Sequence, residues 1–126
     1  MTREEWAHWS EIARDEIEET LAGLPAPLQT RARTLPVALE RIPGAGHIQD
    51  GIAADTLGLF VGPEYAEQEH AGSPVPPQIF LFLENLFEMT EGDEEFFREE
   101  VRTTYLHELG HYLGLDEDDL FERGLE

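Results

Sequence analysis

A chain of 126 residues with 40% hydrophobic side chains can bury one core but cannot build two lobes, so a single domain spanning residues 1–126 is expected. The 28 acidic residues against 8 basic ones leave a net charge of −20, which repels a phosphate backbone and an anionic membrane surface and argues against nucleic acid or membrane as partner. With no cysteine, neither disulfides nor thiolate metal ligands are available.

Residues 3–22 predict an amphipathic helix. Trp6, Trp9, Ala13, Ile17 and Leu21 form one stripe, while Glu4, Glu5, Glu11, Asp15, Glu18 and Glu19 face solvent. At this spacing the two tryptophans read as core, and His8 as a surface residue. The opening Met1 to Trp6 lacks a basic start followed by an apolar run, and no apolar segment approaches membrane-spanning length, so a cytoplasmic location is the default expectation. The helix is expected to stop near Gly23, with Pro25 and Pro27 beyond it.

Leu35 to Arg41 suits a first strand. The loop Ile42 to His47 carries two glycines but no following lysine, a weak signal for phosphate. A second strand is expected within Ala53 to Gly62, then a loop from Pro63 to Pro77 rich in Pro, Gly and acids, long enough in so small a domain to be mobile or part of a binding surface. His70 within it reads as a plain exposed histidine. Gln78 to Glu84 is the most strand-like run, and it is expected to be buried on both faces. No internal repeat or linker is visible.

Thr90-Glu91-Gly92-Asp93-Glu94-Glu95 offers Thr90 or Asp93 as an N-cap, with carboxylates in the first turn where the helix dipole favours them. Phe96, Phe97, Val101, Tyr105, Leu109 and Tyr112 recur at three and four residues and predict a buried stripe, with His107 and His111 at its margin. Two histidines four apart lie on one helical face and can share a metal, while Glu108 between them can hold and deprotonate a water. From the frequencies of His, Glu and Gly, chance produces His-Glu-x-x-His-x-x-Gly in roughly 0.3% of such chains, so coincidence is a weak competitor. Gly110 inside the helix costs about 1 kcal/mol and points to a strand or loop packed against it. Gly114 suits the left-handed residue that ends a helix.

A catalytic zinc needs a third protein ligand. Glu117 stands six residues after His111 and three after Gly114, a spacing at which a reversing chain can return a carboxylate to the ion; Asp116, Asp118 or a ligand elsewhere in the chain are the alternatives.

These features resemble the small bacterial zincin-like metallopeptidases, or minimal zincins, which share the motif His-Glu-x-x-His-x-x-Gly-x-x-Asp. The resemblance extends beyond the motif: Leu57 to Gly62 resembles the first glycine-bounded strand of that group and Pro77 to Phe82 its second. Glu99 to Thr104 resembles the lead into the motif helix, and Asp118 to Leu120 with Arg123 to Leu125 its closing helical turn. His107, Glu108, His111 and Gly114 fall on the family positions, and Glu117 stands where the group carries aspartate. The metzincins are less similar, because their methionine turn follows the motif whereas Met1 and Met89 precede it.

The resemblance implies Zn2+ as cofactor, His107, His111 and Glu117 as ligands, Glu108 as general base, and a peptide or protein substrate laid along an edge strand. Which strand forms that edge is open, as is the oligomeric state. The expected architecture is α+β: an N-terminal helix, a sheet of about three strands, the motif helix and a short C-terminal helix. The expected function is zinc-dependent peptide hydrolysis; the alternative is a non-catalytic zinc- or peptide-binding module on the same scaffold.

Overall fold

The computed structural model describes residues 1–65 and 76–115. Helix α1 (Arg3–Ala22) opens on a capping box, in which the Glu5 N–H donates to Thr2 Oγ1 and the Thr2 N–H donates to Glu5 Oε1, each at 3.1 Å. Its inward face carries Trp9, Ile12, Ala13, Ile17 and Leu21, as the periodicity requires. Helix α2 (Ala26–Ala32) follows at once. Helix α1 stops at Gly23 as expected, and Pro25 and Pro27 beyond it also begin the next helix, because the first turn needs no proline N–H and the ring presets φ.

Strand β1 (Val37–Glu40) leads to a short helix α3 (Ala45–Gln49) where a loop is expected, and then to strand β2 (Gly58–Val61). Strand β3 (Gln78–Phe82) runs directly into helix α4 (Leu83–Met89). The apolar run Ile79 to Leu83 conceals this junction, since the change to helical spacing shows only in Leu83 and Leu86, both fully buried. Helix α5 (Glu94–Tyr112) completes the described α+β fold. The expected short C-terminal helix lies outside the described residues.

The sheet is mixed, in the order β1-β3-β2, with β3 parallel to β1 and antiparallel to β2. Central β3 carries the burial predicted for it: Ile79 and Leu81 point to the helices, and Phe80 and Phe82 point to the opposite face, where the His47 ring meets them edge-on at 4.7 and 5.7 Å. The core lies between the sheet and the pair α1/α5. There Trp9 packs edge-to-face on Phe97 and Phe87, at 4.8 and 5.1 Å, so this tryptophan is core as its spacing implies. Trp6 is half-buried beneath the Arg41 guanidinium at 5.1 Å.

Two buried hydroxyls, those of Ser10 and Tyr105, lack a partner among the described residues. Tyr105 is fully buried on α5, and its hydroxyl makes no hydrogen bond among the described residues. Burial pushes its pKa up to about 12. The native state therefore keeps this proton between about pH 10 and 12 while the unfolded chain releases it, so stability falls as pH rises through that window, by about 2–3 kcal/mol. Tyr105→Phe removes a buried hydroxyl without a partner, and its stability at pH 7 should stay within about 1 kcal/mol of wild type or exceed it. Urea melts between pH 7 and 11.5 should show the variant gaining steadily on wild type above pH 10; parallel pH profiles would contradict this.

Candidate metal centre

Helix α5 is delimited by its own sequence. Asp93 rather than Thr90 is the N-cap, its carboxylate accepting from the Phe96 N–H at 2.9 Å, with Glu94 and Glu95 in the first turn. At the other end Gly114 adopts φ +73°, the Leu115 N–H donates to the Gly110 carbonyl at 2.8 Å, and the Gly114 N–H donates to His111 at 3.2 Å. This is the Schellman closure that the glycine foretells. Phe97, Val101, Tyr105, Leu109 and Tyr112 form the buried stripe, joined by Leu106; Phe96 falls at its margin and is 40% exposed.

The stripe orients the motif. His107 and His111 project beside the core and are exposed, with ring centroids 4.9 Å apart at 85°. Ligand atoms of His107, Glu108 and His111 all lie within 4.8 Å of one another. Imidazole nitrogens each about 2.0–2.1 Å from a tetrahedral zinc stand roughly 3–3.5 Å apart, so small side-chain rotations suffice and the donor set fits such an ion. Glu108 differs from its neighbours. Only 12% of its side chain is exposed, and burial raises its pKa, opposed by the two histidines and by a hydrogen bond from the Phe60 backbone N–H. Its carboxylate stands 4.0 Å from His111 Nε2.

The contact with Phe60 identifies the strand that borders the site. The Phe82 N–H donates to Leu57, and antiparallel ladders alternate, so Leu59 and Val61 bond to β3 while Gly58 and Phe60 turn their N–H and C=O groups to the free edge. That edge faces Glu108. Gly58 permits the approach: a Cβ there would lie 2.5 Å from Thr104 Cγ2 on α5. Phe60 also packs on Tyr112, with ring centroids 5.7 Å apart, while the Tyr112 hydroxyl lies 3.0 Å from Thr34 Oγ1. Gly110 is buried, as its place inside the helix implies.

Between the end of β2 and the motif lies a cavity of about 470 Å³, lined by Leu59, Phe60, Gly62, Glu64, Glu108 and His111. It falls within the usual range for small-ligand sites. Glu64 is a residue that the motif did not disclose. Its oxygens stand outside the group of ligand atoms that all lie within 4.8 Å of one another. The acidic stretch following Gly62 was the only signal for it in the sequence. Glu117, Asp116, Asp118 and His70 all lie outside the described residues.

A small mixed sheet whose edge strand borders a helix carrying two histidines and a half-buried glutamate makes an α+β domain with a possible metal site. The chain belongs to the zincin-like metallopeptidase family: residues 32–125 match the family's model. Membership implies a metal, and the His107, Glu108 and His111 group is a possible place for it. No curated protein matches the chain.

Two consequences are measurable. Gly58→Ala should destabilise the fold by about 1–3 kcal/mol through overpacking against Thr104, and adding Thr104→Ser should recover part of that loss. Additive single-variant effects would contradict the contact. Wild type should retain one equivalent of zinc after dialysis, and His107→Ala and His111→Ala should each lose it together with the zinc-dependent rise in melting temperature. Undiminished zinc in both variants would place the ion elsewhere.

Proposed function

We propose that the protein is a zinc-dependent peptidase that aligns an extended peptide on the free edge of β2 and hydrolyses it with Glu108 as general base. The observation that carries this reading is the placement of Glu108: a carboxylate raised in pKa by burial, held between the histidine pair and the Phe60 N–H of the edge strand. His107 and His111 would hold the ion, with Glu117 as the third ligand that the spacing favours. Zinc bound there supplies a coordinated water acidified toward a pKa of about 7 and a Lewis acid for the substrate carbonyl.

Glu108 accepts the proton of the attacking water and returns it to the leaving amine. Its raised pKa suits both halves of that task, because a carboxylate of ordinary acidity is a weak base and holds a proton too briefly to deliver it. Gly58 and the Phe60 carbonyl offer backbone groups at the free edge, and a peptide added there as a further strand gains main-chain hydrogen bonds without demanding particular side chains, while the Phe60 N–H stays with Glu108. The net charge of −20 favours basic peptides by long-range attraction.

A screen of diverse fluorogenic peptides with zinc-loaded protein tests the proposal. Wild type should cleave a subset, and Glu108→Gln should keep its zinc while losing turnover by a factor of about 10²–10⁴. Unchanged turnover in Glu108→Gln would remove Glu108 from the chemistry. Peptides bound but never cleaved by wild type would make the protein a binding module on this scaffold.

A further inference from the structure

Glu64 is an exposed carboxylate beside the candidate metal site. It lines the same cavity as Glu108 and His111, so two carboxylates face one space. It also lies against the C-terminal end of α5: a Cβ on Gly114 would come within 3.2 Å of Glu64 Oε2. A helix C-terminus carries partial negative charge and attracts cations, so a cationic group reaching this carboxylate would be favoured by the dipole as well. Among the described residues no basic side chain forms an ion pair with it.

The position is held. Pro63 precedes it, and Tyr65 after it is clamped by the Tyr112 ring at 5.8 Å and the Arg31 guanidinium at 5.2 Å. An exposed carboxylate beside a helix end, lining one cavity with a second carboxylate, can accept a cationic group of a ligand bound there. Glu64 stands outside the mutually close ligand atoms of the histidine pair and Glu108, and shares with Glu108 and His111 the lining of a cavity of about 470 Å³.

Building on the peptidase reading above, we infer that Glu64 is a specificity-determining residue that selects substrates carrying an ammonium group beside the bond to be cleaved. The ammonium belongs either to a free N-terminus or to a lysine side chain, and both satisfy the same carboxylate. A charge-assisted hydrogen bond of this kind, in a cavity partly lined by Leu59 and Phe60, is expected to be worth about tenfold in affinity.

Zinc-directed hydroxamates test this without requiring turnover. Calorimetry on zinc-loaded protein at pH 7 compares leucine hydroxamate with its N-acetyl form, and Nα-acetyllysine hydroxamate with Nα-acetylnorleucine hydroxamate. Wild type should bind one ammonium-bearing member about tenfold more tightly than its neutral counterpart, and the pair showing the preference identifies its source. Glu64→Gln should abolish the preference while leaving zinc content, melting temperature and affinity for the neutral compounds unchanged. Equal binding within both pairs, or a preference that survives Glu64→Gln, overturns the inference while the metal site stands. Failure of wild type to hold zinc would bring down the peptidase reading, and this inference with it.

Discussion

The whole site depends on how closely β2 lies on α5. Gly58 has no side chain, and Thr104 Cγ2 occupies the space that a Cβ would need. Only this approach brings the Phe60 N–H within reach of Glu108 and sets the free edge of the sheet alongside the histidine pair. Protein interiors do not deform continuously, so a strand displaced by one methyl group would repack rather than tilt. The Phe60 and Tyr112 rings and the Tyr112 hydroxyl near Thr34 tie the strand to the end of the helix and to the residues after α2.

On that frame, burial rather than pairing sets the electrostatics. Glu108 is drawn under the strand and becomes a stronger base, while His107 and His111 stay at the surface where an ion can reach them. Glu64 adds a second carboxylate to the cavity, beside the C-terminal end of α5. The protein thus concentrates negative charge where a dication and a cationic ligand would each relieve it. The remaining acids mostly line exposed faces such as the outer side of α1, where they contribute to the overall field and little to any one contact.

Much of this was legible in the chain because it is local. Helical periodicity placed α1 and α5, Asp93 and Gly114 marked the ends of the motif helix, and the His-Glu-x-x-His spacing brought three side chains together. Gly110 pointed to a crowded helix face, and the residue is buried. What stayed hidden was set by contacts distant in sequence or masked by composition. Pro25 and Pro27 read as terminators although proline also begins helices, and the apolar run through Leu83 gave no sign that β3 becomes α4. Periodicity carries no information on pairing order, so β2 could not be singled out as the strand beside the site. Glu64 was illegible for the same reason, since nothing near it in sequence announces Gly114 or His111.

The central claim is that His107 and His111 grip one zinc ion while Glu108 stays free to act on its water. An anomalous difference map recorded across the zinc absorption edge, from crystals of protein purified without added metal, addresses it directly. The account predicts one strong peak about 2.0–2.1 Å from one nitrogen of each histidine, with the Glu108 carboxylate outside bonding distance and directed at the ion's open side. A peak bonded to Glu108 itself, or no peak between the two imidazoles, would contradict it.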